Sequence, residues 1–329
     1  MKALVTGAAG FVGSHISDAL LEAGHEVAGV DCFLDYYPRR IKEGNLKEAR
    51  ANRNFTFVEG DLLSLDLNAL LEGVDWVFHQ AAQAGVRSSW GEDFRIYSDN
   101  NVYATQRLLE ACKTSKPKRV VYASSSSVYG DTRDLPMLES SVTRPVSPYG
   151  VTKLAAEHLA WLYAKNYGVP TVSLRYFTVY GPRQRPDMAF NRFIRATMAG
   201  RSIQLYGDGS QSRDFTFVSD IVAANLAAVQ AEGVEGEVFN IGGGSRTTVN
   251  EVISTIGEIV GREPLVENLA VEKGDVRHTA ASTGKAAAAI GYAPAVGLRE
   301  GLEREAQWLG EQGQAALQEA TGREVRDVP

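Results

Sequence analysis

Short runs rich in β-branched and apolar residues punctuate the first half of the chain, and longer stretches with helical apolar spacing separate them. The runs at 3–5, 26–30, 55–58, 76–79, 119–122 and 171–174 predict strands. The stretches at 10–23, 39–52, 94–112 and 148–167 predict helices. Strands that alternate with helices imply βαβ units and a parallel sheet covered on both faces, and right-handed crossovers make that sheet doubly wound. Beyond about residue 178 the runs shorten, and Gly, Pro and Arg become frequent in turn-like segments. A helix at 220–230 and a strand at 238–241 still suit the sheet. Residues 1–177, with 220–243 returning to them, therefore read as one α/β unit; 178–219 and 244–329 read as a smaller lobe. The mixed-charge stretch 39–53 reads as a solvated helix face.

Composition narrows the classes. In 329 residues, 34 Lys and Arg against 40 Asp and Glu give a net charge of −6, so the surface is not built to attract nucleic acid or anionic lipid. No apolar run reaches the ~18 residues that span a bilayer. The N-terminus, Met1-Lys2-Ala3-Leu4-Val5-Thr6-Gly7, is already strand and turn and leaves no room for a signal peptide. Cys32 and Cys112 make no disulfide framework, which fits a reducing, cytoplasmic setting. Five scattered histidines show no metal-ligand spacing, and His79 on strand four reads as a packed core residue.

The first candidate site lies where strand one runs into Thr6-Gly7-Ala8-Ala9-Gly10-Phe11-Val12-Gly13 and a helix. Glycines at Gly7, Gly10 and Gly13 let the backbone turn and approach a pyrophosphate lodged at the positive helix N-terminus. Asp31 ends the second strand 18 residues past Gly13 (31 − 13), where a carboxylate accepts from an adenosine ribose hydroxyl. Cys32 and Phe33 offer no cation for a further phosphate, which favours NAD over NADP. Asp61 and Leu62 follow strand three on the adenine side. Ala81 and Ala82 follow strand four, where small residues let the backbone come close. The fold class is thus α/β: a Rossmann-type doubly wound parallel sheet with a smaller C-terminal substrate-binding lobe.

The second candidate site is Ser147-Pro148-Tyr149-Gly150-Val151-Thr152-Lys153. Ser147 suits an N-cap and Pro148 the first helical position, so Tyr149 and Lys153, at i and i+4, share one face. A free tyrosine titrates near 10. An adjacent ammonium, the helix N-terminus and an oxidised nicotinamide would each favour its phenolate, which could then remove a hydroxyl proton as hydride leaves the same carbon. On most helices such a Tyr–Lys spacing is an ordinary surface pair. Its weight here comes from Ser124-Ser125-Ser126-Ser127, which end strand five at the carboxyl edge where ligands bind. The helix at 148–167 also carries an apolar stripe at Val151, Leu154, Ala155, His158, Leu159 and Leu162; one face must cover the sheet, and any remainder is available to a second copy.

Together these motifs resemble the extended short-chain dehydrogenase/reductases, nucleotide-sugar branch, and most nearly the UDP-glucuronate 4-epimerase group. The specific carriers are Ala82-Gln83-Ala84-Gly85-Val86-Arg87 and Arg175-Tyr176-Phe177-Thr178-Val179-Tyr180-Gly181-Pro182-Arg183-Gln184-Arg185-Pro186-Asp187-Met188-Ala189. Arg213-Asp214-Phe215 followed by Val218-Ser219-Asp220 is a further carrier. The resemblance implies Tyr149 as base and acid, Lys153 as its electrostatic partner and ribose ligand, and Ser125 as the hydroxyl on the reacting C4 oxygen, with Ser126 and Ser127 nearby. It implies Asn101 as a support of the NAD site, alongside Phe11 and Val12 of the glycine loop. It places Arg213 on the diphosphate, Gln204 and Tyr206 in the uracil pocket, and Arg87 and Asp275 near the nucleotide. Thr178 and Arg185 are expected to hold a sugar carboxylate, since Arg suits bidentate recognition. A homodimer through the 94–112 and 148–167 helices is implied as well. Cys32 stands where many relatives carry Asn, and Ser125 where several carry Thr.

The activity so implied is 4-epimerisation of a UDP-sugar, UDP-glucuronate to UDP-galacturonate, through a 4-keto intermediate on tightly bound NAD. Epimerisation of UDP-glucose or UDP-N-acetylglucosamine, UDP-glucuronate decarboxylation and a non-catalytic NAD-binding role stay open. Related dehydratases carry Asp-Glu where this chain has Ser126-Ser127, and related decarboxylases carry Glu at the position of Ser127. Dehydration accordingly lacks its proton shuttle.

Overall fold

A computed structural model describes residues 1–270 and 274–312. The parts of the expected 244–329 lobe at 271–273 and 313–329 lie outside the described residues. The six strands expected in the first half form as β1 (Lys2–Thr6), β2 (Glu26–Asp31), β3 (Phe55–Glu59), β4 (Trp76–His79), β5 (Arg119–Ser125) and β6 (Thr171–Tyr176). Beyond them come β7 (Thr178–Tyr180), β8 (Ile203–Tyr206), β9 (Ser212–Phe217), β10 (Val238–Ile241), β11 (Arg246–Thr248) and β12 (Val266–Leu269).

The central sheet has seven strands in the order β10-β6-β5-β4-β1-β2-β3, all parallel. Direction of winding reverses beside β1, whose Thr6 pairs with His79 of β4. That reversal opens a crevice at the carboxyl ends, the place where such sheets take ligands. Pleat alternation divides the core. Val5, Phe78 and Val121 pack with Ile16 and Leu20 of the Phe11–Glu22 helix and Ile221 and Ala224 of the Val218–Gln230 helix. Their neighbours Leu4, Val77 and Val120 face the other way, onto Leu108, Cys112 and Tyr163. Each such side chain removed from water contributes about 1.5–3 kcal/mol, which fixes the register that carries the strand ends.

Within the residues expected to form the lobe, Phe190, Phe193, Val252, Ile256 and Leu302 share an apolar cluster, while Ala286, Ile290 and Tyr292 pack with the sheet. The lobe's strands make a three-stranded sheet, β11-β9-β7, and a parallel pair, β12-β8. Phe11 and Val218, at the first turns of the two sheet helices, belong to the lobe's cluster and tie it to the glycine loop.

Two expectations need correction. The stretch at 39–53 is not simply a solvated face. It forms two short helices, Arg39–Asn45 and Lys47–Ala51, and buries Lys42 and Asn45 because both serve backbone carbonyls. Lys42 donates to Leu34 O at 2.6 Å, and Asn45 donates to Ala9 O inside the glycine loop at 3.0 Å. The stretch at 94–112 is not one regular α-helix either. Ser98–Tyr103 is a π-helical segment between Phe94–Tyr97 and Ala104–Ser115. Such widened turns occur often at functional sites, and this one carries Asn101.

Candidate active site

The glycine loop is a cradle made by backbone. Gly7 has φ +68°, and a Cβ there would lie 2.8 Å from Ala81 N; a Cβ on Gly13 would lie 2.2 Å from Gly7 O. Neither position tolerates a side chain, so the loop after β1, the first helical turn and the segment after β4 close on each other. Asp31 stands beneath the loop. Its carboxylate accepts from Ala9 N at 3.1 Å and from Phe33 N at 2.8 Å. Burial pushes its carboxyl above the usual range, against those two hydrogen bonds. Asp61 accepts from Leu63 N and turns the chain after β3; Leu62 is buried and its carbonyl accepts from Arg107. Phe11 is buried, Val12 half-buried, and Ala82 exposed along the crevice. These donors, glycines and small residues fit a dinucleotide.

Asn101 bolts the crevice to the next helix. Its Oδ1 accepts from Gln83 N at 2.7 Å, and its Nδ2 donates to Gln83 O at 3.0 Å and to Thr152 Oγ1 at 2.9 Å. Thr152 lies between Tyr149 and Lys153, so the loop after β4 and the Tyr–Lys helix move as one piece. That helix runs Pro148–Tyr167, with the Ser147 hydroxyl accepting from Gly150 N at 3.1 Å.

Ser125 at the end of β5 and Tyr149 in the first turn of the helix are brought together, and Lys153 follows one turn along that helix. The Ser125 hydroxyl accepts from Ser127 N at 3.1 Å, which leaves its hydrogen free to favour the Tyr149 phenolate. Lys153 is buried with its Nζ 4.5 Å from the Tyr122 ring centroid, and the Tyr97 ring meets Tyr149 edge-on at 6.3 Å. The expected lowering of the phenol is not delivered by the chain alone. Burial pushes Tyr149 up, against opposing pulls from Ser125 and Arg185. Burial also pushes the Lys153 ammonium down to about 7, against Glu157. Positive charge brought by a ligand would favour the phenolate against that burial. Behind the lysine, Glu157 is clamped by Arg175 at 2.6 Å and by Ser124 at 2.6 Å.

Arg185 reaches the same cleft from the segment after β7, close enough for its charge to favour the Tyr149 phenolate. Its Nε and Nη2 donate to Asp187 at 3.0 and 2.9 Å, and its guanidinium lies 5.4 Å from the Tyr36 ring centroid. Thr178 opens β7 two residues past Tyr176, which is the register partner of Ser125. Ser126 and Ser127 form a single helical turn beyond β5. Farther out, Arg87 pairs with Asp275 at 2.7 Å and stacks over Tyr206 at 3.9 Å. Arg213 donates to the carbonyls of Ser212 and Arg277, both at 3.0 Å, and among the described residues it makes no ion pair. A half-buried cation with only carbonyl partners suits an anionic ligand. Gln204 is exposed and accepts from Arg192 at 3.3 Å.

Several site residues escaped the sequence reading. Asn45 under the glycine loop sat inside a stretch read as solvated. Tyr36 and Tyr97 converge with Ser88 where Gly85, φ +112°, leaves room for three hydroxyls. Asp187 follows Arg185 by two residues across Pro186, and that proximity was the available signal.

Among the described residues, no helix is long and apolar enough to cross a membrane. The family model for NAD-dependent epimerases and dehydratases matches residues 3–242. A Bacillus subtilis protein described as an uncharacterized UDP-glucose epimerase is 46% identical over 94% of this chain and 98% of its own length. A UDP-glucuronate 4-epimerase of Thermodesulfobacterium geofontis is 37% identical over 93% of this chain and 95% of its own. The crystal structure of the Bacillus cereus UDP-glucuronic acid 4-epimerase with UDP-glucuronic acid and NAD superposes with TM-score 0.93 at 43% identity, over 95% of this chain and all of that one. The Rossmann-type sheet, the Tyr–Lys helix and this likeness along nearly the whole chain agree: the protein belongs to the NAD-dependent epimerase/dehydratase family.

Proposed function

We propose that the chain is an NAD-dependent 4-epimerase converting UDP-glucuronate to UDP-galacturonate. The observation that carries the substrate is Arg185, an enclosed guanidinium that pairs with Asp187, keeps one edge free among the described residues and acts by its charge on the Tyr149 phenol. Relatives named for that reaction support it. Residues 1–177 with 220–243 hold the dinucleotide, and 178–219 with the described part of 244–329 hold the sugar nucleotide.

Bound NAD⁺ supplies a hydride acceptor, a later hydride donor and a positive charge that favours the Tyr149 phenolate. Gly7, Gly10, Gly13 and the first helical turn seat its pyrophosphate, Asp31 its ribose, and Asn101, Ala81 and Ala82 the wall beside it. Tyr149 takes the C4 hydroxyl proton, Ser125 hydrogen-bonds the same oxygen, and Lys153 steadies the phenolate and the nicotinamide ribose. The resulting 4-keto sugar turns over about its diphosphate tether and is reduced on the opposite face, with Tyr149 returning the proton. Arg213 grips the diphosphate, and Arg87, Gln204, Tyr206 and Asp275 hold the uridine end. Thr178 and Arg185 keep the carboxylate away from the perpendicular alignment that would release CO₂ from a β-keto acid; Ser126 and Ser127 lack the acid that relatives use for elimination.

The outward face of the Pro148–Tyr167 helix supports a homodimer. The residues it turns to the sheet are Thr152, Lys153, Ala156, Glu157, Ala160 and Tyr163. The apolar stripe read from sequence is divided: Leu154 and Leu159 pack against core clusters, while an outward patch remains in which Val151 and Leu162 are 49% and 42% exposed, with Ile96 and Tyr103 at 42% and 55%. A second copy would cover it. Free Cys32 and Cys112 suit a cytoplasmic setting.

The test is incubation with UDP-glucuronate, UDP-glucose and UDP-N-acetylglucosamine, with products read by proton NMR. UDP-galacturonate without released CO₂ is expected. A pentose product would make the chain a decarboxylase, and turnover of the neutral sugars alone would remove the carboxylate from the reading.

A further inference from the structure

The substrate reading leaves Arg185 with an unexplained companion. Asp187 occupies the side-on edge of the guanidinium with two hydrogen bonds, at 3.0 Å to Nε and 2.9 Å to Nη2. The end-on edge, with Nη1, makes no hydrogen bond among the described residues. The pair is largely enclosed, with side-chain exposures of 19% for Arg185 and 29% for Asp187. Tyr36, from the segment after β2, sets its ring 5.4 Å from the guanidinium, with its hydroxyl beside those of Ser88 and Tyr97 at Gly85, and so covers one face of the arginine. A residue meant only to grip a substrate carboxylate would bind it most tightly with no internal competitor. Here the competitor is built into the same loop.

The reaction gives that competitor a use. C1 of the sugar is tethered through the diphosphate, and C4 must face Tyr149 before and after the turn. The ring can present its opposite face only by rotating about the C1–C4 axis, which exchanges its two edges. The C5 carboxylate must therefore leave the place it held. An enclosed arginine abandoned at that moment would carry an uncompensated charge, and removing one partner of such a pair is strongly unfavourable. With Asp187 in place the charge is never unpaired, and the arriving carboxylate meets a cation already half neutralised.

We propose that Asp187 is a resting counter-ion for Arg185: a positioning residue that fixes the free edge of the guanidinium toward the sugar and weakens its hold on the carboxylate enough for the ring to turn. The inference rests on the proposed action on UDP-glucuronate. It assigns Asp187 no contact with substrate. Its effect is confined to sugars that carry a carboxylate.

The test is Asp187→Asn, which keeps the shape and one acceptor and removes the charge, assayed as NAD-loaded full-length protein on UDP-glucuronate. Both KM and kcat should fall, each by roughly three- to tenfold, the size of the step from a charge-assisted to a neutral hydrogen bond at the competing acceptor. The bound nicotinamide should stand more reduced at steady state, because the turn of the keto sugar has become slow. With UDP-glucose the two constants should not split. Should Asp187→Asn fail to fold, Asp187→Ser is judged by the same constants. Unchanged constants, a higher KM at constant kcat, or equal losses on both sugars would overturn the inference while leaving UDP-glucuronate as substrate. Failure of the native chain to epimerise UDP-glucuronate would overturn the substrate reading and this inference with it.

Discussion

The two ends of the crevice are built from different materials. At the dinucleotide end the working surface is mostly backbone: Gly7 and Gly13 admit no side chain, Asn45 and Asn101 brace loops from behind, and Asp31 alone both braces the loop and faces the ribose assigned to it. At the sugar end the working surface is charged and hydroxyl-bearing side chains: Tyr149, Lys153, Ser125 and Arg185, with Asp187 behind the arginine, brought in by three separate segments. The first end suits a ligand that stays, because a backbone cradle has few alternative conformations. The second suits a ligand that must be oxidised, turned and released, because pairings of charge can be exchanged. Sterics should dominate failures at one end and chemistry those at the other.

The largest effect belongs to the sugar end. Tyr149→Phe removes the proton carrier and little else, since the ring keeps its edge-on contact with Tyr97. Turnover should fall by about 10²–10⁴-fold, while dinucleotide content and melting temperature stay near native. Stopped assays on UDP-glucuronate with absorbance of the bound cofactor check both halves. A variant that lost its dinucleotide as well would show that the two ends are not separable.

At the other end, Gly13→Ala puts a methyl 2.2 Å from Gly7 O, against backbone that cannot step aside without opening the loop. Overpacking of this kind costs about 1–3 kcal/mol, which corresponds to roughly 10- to 100-fold weaker retention of the dinucleotide. Purified protein should carry less cofactor, and added NAD should restore much of the rate. Loss of rate that NAD cannot restore would place the damage in the Tyr–Lys helix instead.

Arg185→Ala sharpens the comparison within the sugar end. Loss of a charge-assisted pair should lower kcat/KM for UDP-glucuronate by roughly 10- to 100-fold and that for UDP-glucose far less. Measured side by side, equal losses on both substrates would mean that Arg185 serves the diphosphate or the protein and not a sugar carboxylate.

The contrast between the ends also explains what was legible. The β1 turn, Asp31 and the Tyr149–Lys153 spacing are local, and local geometry follows from residue type: glycine where a Cβ cannot go, Ser147 and Pro148 where a helix starts. Val238–Ile241 could be placed as a returning strand because its apolar run matched the sheet's other strands. The lobe strands β7, β8, β9, β11 and β12 were not individually visible; they are three to six residues long and their partners lie far off in sequence. Asn45 was read as solvent-facing because a side chain that donates to Ala9 O has no signature in its own stretch. Asp187 was passed over although its partner Arg185 lies two residues away, because the pairing gains its meaning only once Arg185 is placed in the cleft against Tyr36 from another loop.

The smallest effect concerns Lys153, where the two ends meet. Burial pushes its ammonium down to about 7 from an ordinary value near 10.5. Between those values the unfolded chain binds the extra proton and the folded chain does not, so in this window the native protein gains stability as pH rises. Below about 7 both states hold the proton, and the full cost of burying the ammonium is present. Lys153→Met removes that cost, together with a cation–π contact to Tyr122. Freed of dinucleotide, the Met variant should melt roughly 2–6 °C above native protein at pH 6, with the gap closing toward pH 10. Scanning calorimetry across that range reads the effect directly. A variant that melts below native protein at pH 6, with no closing gap, would mean that Tyr122 and Glu157 compensate the buried charge in full, and that the lysine is an ordinary ammonium before any ligand arrives.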